Sequence, residues 1–333
     1  MSGRVAVFLA VGAAAAVAAG SAGADGLPVL SVDAGPTGVA IPAGTARYVT
    51  IPAGHKTVVA RVRRNGGRII RSRLLPGTFT IPAVAYDGSA GGLSADGRTL
   101  VLITPRTSFP RARTTLLVLG ARGLSTRATI RLHGDFSFDA VSPQGRLGYL
   151  IQYTNPRDPT RYLVRGYDLV HRRLLRAAVV DPHERGEKMR GNPLSRAVSP
   201  DGRWAYTLYD GAGGTPFIHA LDTSALTARC IDLDELARDG RYLWRLRLGI
   251  SRDGHTLTIR DGKERELLVD TRTFTPRKAG PTAATSRARS DGLRWPVAAL
   301  VALGAAVASG VLLTLGGRRR AGRSPSAWPG HSA

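Results

Sequence analysis

A five-bladed β-propeller, an all-β fold, is what this sequence predicts, on three observations. A short turn phrase recurs between apolar runs, its copies stand at near-constant spacing, and partial copies flank the repeated region. The phrase reads Leu93-Ser-Ala-Asp-Gly-Arg98, Val141-Ser-Pro-Gln-Gly-Arg146, Val198-Ser-Pro-Asp-Gly-Arg203 and Ile250-Ser-Arg-Asp-Gly-His255. An Asp-Gly or Gln-Gly pair between apolar runs marks a hairpin, because glycine takes positive φ without steric cost. Strand-like runs follow at 99–103, 147–151, 204–208 and 256–259. A degenerate fifth copy stands at Ala40-Ile-Pro-Ala-Gly-Thr45.

Spacings between Ile41, Ser94, Ser142, Ser199 and Ser251 are 53, 48, 57 and 52 residues, near the length of a four-stranded blade. Outer strands are visible after Ser142 (162–168 and 173–180) and after Ser199 (217–222 and 228–233). The small residues Gly92, Ala140, Ala197 and Gly249, two before each turn serine, suit innermost strands crowding a channel. Strands at 266–274 read as an outer pair with no inner pair following, and the N-terminal copy as an inner pair with no outer pair preceding. The expectation is that N- and C-terminal strands close one blade, which removes exposed sheet edges.

The chain ends carry targeting signals. Arg4, the apolar run Val5 to Ala19 and the small-x-small site Ala22-Gly23-Ala24 form a signal peptide over 1–24, leaving Asp25 as the mature N-terminus. The propeller ectodomain then occupies 25–278 and a linker 279–294. Residues 295–315 lack charge and are long enough to cross about 30 Å of hydrocarbon as one transmembrane helix. Trp295 suits the outer interface, and Arg318, Arg319, Arg320 and Arg323 open a short cytoplasmic tail over 316–333. The expected location is the cell membrane, single-pass, with the N-terminal domain outside the cytoplasm. No LPxTG sorting motif precedes the span.

Net charge is +23, nearly all of it from arginine. No nucleic-acid motif accompanies it, and an exported domain rarely meets nucleic acid, so no nucleic-acid partner is expected. Cys230 is the single cysteine, which excludes an intramolecular disulfide; a buried, inert thiol is expected.

Ser-Pro-Asp-Gly-Arg followed by an aromatic-rich strand resembles the repeats of bacterial extracytoplasmic TolB-like, YVTN-type and WD-repeat-like propellers, over roughly 30–278. The resemblance implies fold more than function, because propellers host lyases, lactonases, dehydrogenases and pure binders.

In such a fold the Asp-Gly turns share one face and the long loops the other. Tyr86, Asp87, Phe138, Asp139, Arg190, Asp210 and Trp244 fall on long-loop segments and form the candidate ligand-binding set. The same aromatics are expected either to anchor a ligand or to pack the loops together. The leading function is a binding or interaction module for a protein or cell-envelope polymer partner, with no catalytic residues, metal or cofactor. The alternative is a metal-dependent hydrolase or lyase with an acidic site at the channel mouth. There is no HExxH, GxSxG or Walker loop to favour an enzyme.

Overall fold

The computed structural model describes residues 38–280, except 41–43, 185, 187–188 and 238–242. The signal peptide, the span, the tail and almost all of the linker lie outside the described residues. Among the described residues no helix is long and apolar enough to cross a membrane.

The fold is all-β and antiparallel. Sheet 1 comprises β1 (Val39–Ala40), β2 (Ala46–Ala53), β3 (Lys56–Arg63) and β4 (Ile69–Pro76). Sheet 2 comprises β5 (Thr99–Ile103), β6 (Arg113–Gly120) and β7 (Ser125–His133). Sheet 3 comprises β8 (Phe136–Val141), β9 (Leu147–Tyr153), β10 (Tyr162–Asp168) and β11 (Arg173–Ala178). Sheet 4 comprises β12 (Pro193–Val198), β13 (Trp204–Tyr209), β14 (Phe217–Asp222) and β15 (Thr227–Asp232). Sheet 5 comprises β16 (Leu246–Ile250), β17 (Thr256–Asp261), β18 (Glu264–Asp270) and β19 (Thr275–Lys278). Every sheet is a meander in chain order.

The expected blade shared by the chain ends does not form. β1–β4 make one sheet and β16–β19 another. Each outer pair belongs to the inner pair just before it, so no strand is left over among the described residues. Short turns at Gly54 and at Asn65-Gly66-Gly67 fold 46–76 back on itself, and such local closure costs far less chain entropy than joining segments some 200 residues apart.

Apolar side chains alternate along the strands, and both faces of the middle sheets are apolar, so the sheets stack. Tyr48, Val59 and Leu75 of sheet 1 meet Leu100, Leu117 and Leu119 of sheet 2. Ile103 and Leu116 meet Phe136 and Leu150 of sheet 3. Tyr149, Ile151 and Val164 meet Ala205, Tyr209 and Leu221 of sheet 4. Tyr206, Leu208 and Ile218 meet Leu248, Leu257 and Ile259 of sheet 5. No buried cluster joins sheet 5 to sheet 1 among the described residues. The free face of sheet 1 instead presents the cross-strand row Ile51, Val58 and Leu74, with Ile51 and Leu74 about half exposed, and that of sheet 5 presents Thr256, Thr258 and Arg260.

The recurring phrase is a serine-capped turn. Ser94, Ser142, Ser199 and Ser251 accept through Oγ from the backbone N–H five residues on, and three of them donate to the phrase's aspartate. The turns also touch each other around the channel: Asp96 N donates to Pro143 O at 3.0 Å. Gly202 has φ +72° and a Cβ there would lie 2.5 Å from Ala95 Cβ. Gly202→Ala is therefore expected to lose at least about 2 kcal/mol in urea unfolding. Gly262→Ala, at φ +59° with open space around it, loses only the backbone part, about 1 kcal/mol. Equal losses at the two positions would show that the turns do not pack.

A second repeated turn escaped the sequence reading. Leu124, Arg172, Leu226 and Phe274 have positive φ at the end of the outer hairpin turns of sheets 2 to 5. In sheets 3 to 5 an aspartate opens the turn: Asp168, Asp222 and Asp270 each accept from two backbone N–H groups. The positive-φ residue docks on the preceding sheet, as when Phe274 packs on Trp204 or Arg73 of β4 donates to Leu124 O at 2.8 Å. Sheet 1, the first among the described residues, has an Asn-Gly-Gly turn without such a residue.

Candidate functional site

The innermost strand of sheet 2 is replaced by an irregular segment, tied by bridges Thr80–Ile103, Ala83–Ala90 and Leu93–Leu100. Its tip leaves sheet 2 and pairs with β12 of sheet 4: Tyr86 N donates to Pro193 O at 2.9 Å and Asp87 N to Leu194 O at 3.1 Å. Because sheet 3 stands between sheets 2 and 4, the tip crosses the channel at its long-loop end. Asp87 Oδ2 accepts from Ser195 Oγ at 2.6 Å, and Ser195 Oγ accepts from Leu248 N of sheet 5 at 2.9 Å. One hydroxyl thus links the crossing loop to two sheets.

Tyr86, Asp87 and Asp210 converge here. Tyr86 OH lies 3.4 Å from Asn192 Oδ1. Asn192 donates through N and Nδ2 to the two Asp210 oxygens, both at 2.7 Å. Trp244 stands two residues before β16, at the same end of the channel, and is 65% exposed. Arg190 is exposed, and lines clefts beside Met189 and Gly211.

Two expected residues point elsewhere. Phe138 is buried in the core between sheets 2 and 3, because strand alternation puts it on the same face as Phe136. Asp139 is ion-paired to Arg196, both side chains 4% exposed. A guanidinium against Asp139 and a hydroxyl against Asp87 make a poor cage for a hard cation, which wants several oxygen ligands around one point. Beneath the crossing loop lies a cavity of about 270 Å³, lined by Val84, Leu93, Ala140, Val198 and the Asp139–Arg196 pair, and reaching Pro200 and Gly202 in the turns. Arg196 Nε is buried without a hydrogen-bond partner.

The long-loop end is also built from aromatics. Phe109, Tyr153, Tyr162, Tyr209 and Phe217 contact in series, with ring centroids 5.2–6.3 Å apart. Burial pushes the Tyr153 hydroxyl up to about 12. Most of these aromatics pack the loops together, leaving Tyr86 and Trp244 as the exposed large rings.

Sequence reasoning missed a buried basic cluster beside this belt. Asp135 Oδ1 accepts from Arg106 Nη2 at 2.6 Å and Arg111 Nε at 3.2 Å, and Oδ2 from Arg111 N at 3.1 Å. Arg106 also lies over the Tyr153 ring, 4.7 Å from its centroid. Burial and then the neighbouring Arg106 charge lower Arg111 to about 10. In so arginine-rich a chain, two more arginines in a loop gave no signal. A second group also went unnoticed: Asp181, Glu184 and Cys230 bring their ligand atoms within 4.8 Å of one another. Cys230 is half-buried, not fully buried as expected.

Consecutive antiparallel meanders, four of them four-stranded and one three-stranded, stacked face to face with their serine-capped turns in contact, have the arrangement of a β-propeller. No protein-family model and no curated protein matches the chain. Solved structures similar to it include hydrazine synthase of Kuenenia stuttgartiensis, at 14% identity and a TM-score of 0.40 over 72% of this chain and 70% of that one. TolB of Acinetobacter baumannii is similar at 13% identity and a TM-score of 0.34, over 70% and 56%. The Dos1 propeller is similar at 11% identity and a TM-score of 0.42, over 72% and 57%. These neighbours are β-propeller proteins; the fold assignment for this chain stands on its own sheet order and inter-sheet cores.

Proposed function

We propose that the chain is a membrane-anchored, extracytoplasmic propeller, each of its five sheets a blade, that binds a protein or cell-envelope polymer through its long-loop end. The observation that carries this reading is the pair of exposed rings, Tyr86 and Trp244, the first of them on a hydrogen-bonded base. Tyr86 sits on a loop hydrogen-bonded across the channel, so little ordering entropy is lost when a partner covers it. Large amphipathic rings held in this way are the usual anchors of an interface. The carboxylates nearby are engaged by Ser195, Asn192 and Arg196, which favours binding over metal-dependent hydrolysis. Residues 1–24 and 295–315 support export and a single span. The positive charge suits an anionic envelope.

A photo-crosslinking amino acid placed at Tyr86 or at Trp244 of the full chain, in the cells that make it, is expected to trap one discrete adduct. The same probe at Arg122, in the outer hairpin turn of sheet 2, should trap none. Equal labelling at all three positions, or none at the two rings, would overturn the assignment of the binding face.

A further inference from the structure

A pocket between sheets 3 and 4, beside the Arg190 cleft, has the donor chemistry of a metal centre. Strand pairing builds half of it. His219 of β14 and Cys230 of β15 are register partners, so both side chains leave the same face of sheet 4. The segment after β11 builds the other half. Asp181 and Glu184 are joined by a tight turn, with Glu184 N donating to Asp181 O at 3.1 Å. The two halves are locked together, because Cys230 N donates to Asp181 Oδ2 at 2.9 Å. Asp181 Oδ1 is occupied by His183, while Oδ2 keeps a lone pair.

The ligand atoms of Asp181, Glu184 and Cys230 lie within 4.8 Å of one another. His219 supplies an independent observation. It is 2% exposed, it lines the same pocket as Asp181, Glu184 and Cys230, and among the described residues no hydrogen bond reaches either of its ring nitrogens. A buried imidazole without a partner is costly unless something else meets its nitrogen. The pocket has a volume of about 20 Å³, room for one water or one ion.

We propose that Cys230, His219, Asp181 and Glu184 form a four-coordinate site for a divalent cation of the zinc class. One thiolate, one imidazole and two carboxylates select a borderline-soft ion over magnesium or calcium, which take oxygen donors. Bond lengths of about 2.0–2.3 Å put tetrahedral ligand atoms roughly 3.3–3.8 Å apart, so Asp181, Glu184 and Cys230 need to close by only about 1 Å, and the His219 ring, whose nitrogens lie outside that group, must swing in further. Three anionic ligands around a dication leave one surplus negative charge. Arg229, whose Nη1 lies 3.5 Å from Asp181 Oδ1, offsets it. The ion would add a clip between the segment after β11 and sheet 4, beside the hydrogen bond from Cys230 N to Asp181 Oδ2. The site stands whatever the long-loop end binds.

Cys230 is the single cysteine, so its chemistry reports on the site without interference. The purified full chain, stripped with a chelator, is titrated with Co²⁺ and then Zn²⁺. Co²⁺ is expected to bind one per chain with a thiolate-to-cobalt band in the near ultraviolet, and Zn²⁺ to abolish that band. In Cys230→Ser the band should vanish, and in His219→Gln or Glu184→Gln affinity should fall at least tenfold. As a check that needs no variant, Zn²⁺ should slow iodoacetamide labelling of wild-type Cys230 at least tenfold, and Mg²⁺ should not. Absence of a thiolate band, or labelling at the same rate with and without Zn²⁺, would overturn the site.

Discussion

Asp135→Asn is expected to cost the protein on the order of 3–5 kcal/mol of unfolding free energy. Asp135 is the carboxylate that pairs with both Arg106 and Arg111, and the Arg106 and Asp135 side chains are almost fully buried. Asparagine keeps the size and one acceptor oxygen, yet it leaves two guanidinium groups packed together without this counter-charge. Arg111 already feels the pressure, since burial and Arg106 lower its proton affinity even with Asp135 present. Arg111 also donates to Thr104 O and Phe136 O, so its displacement would loosen the start of β8 as well. Urea unfolding of the purified chain measures the loss. A loss below about 1 kcal/mol would mean that water reaches the cluster and that it is not buried in solution.

The second large effect concerns the channel. Arg196→Met and Asp139→Leu, made singly, should each destabilise by roughly 3–5 kcal/mol, because each strands a buried charge. Made together, they should recover most of that loss, since the cavity wall around the pair is mostly apolar. A coupling free energy of several kcal/mol from the four-protein cycle is the expected result. Additive losses would show that the two side chains do not depend on each other. The double variant also separates structure from recognition. Partner crosslinking at Tyr86 should survive in it, because the crossing loop is held by Pro193, Leu194 and Ser195 and not by the ion pair.

How much of this was legible in the sequence differs sharply between elements. The turn phrase announced the inner hairpins of sheets 3, 4 and 5, because each is closed by hydrogen bonds within a few residues. Its copy at Ser94 marked a real turn, but the strand before it is irregular, since that segment is diverted across the channel. The outer hairpins carried a signal that was overlooked, an aspartate followed four residues later by a left-handed residue. The lack of such a residue in the outer turn of sheet 1 would have argued against the shared terminal blade. Of the candidate site, Tyr86, Asp87, Asp210, Arg190 and Trp244 do stand at or near the long-loop end, but Phe138 belongs to a core. Strand alternation over Phe136 and Phe138 could have revealed that; the ion pairing of Asp139 could not be read.

By itself, the sequence determined an all-β chain of antiparallel hairpins and where the serine-capped inner turns fall. Those follow from local hydrogen bonding and strand periodicity, which act over a handful of residues and cost little chain entropy. Only the tertiary structure decided that the two ends form separate sheets, that the loop at Tyr86 spans to sheet 4, and which charges meet in the interior. Asp87 finds Ser195 across 108 residues, and Asp139 finds Arg196 across 57. Contacts of that range form only after whole sheets have stacked, so it is the packing of apolar faces that chooses them.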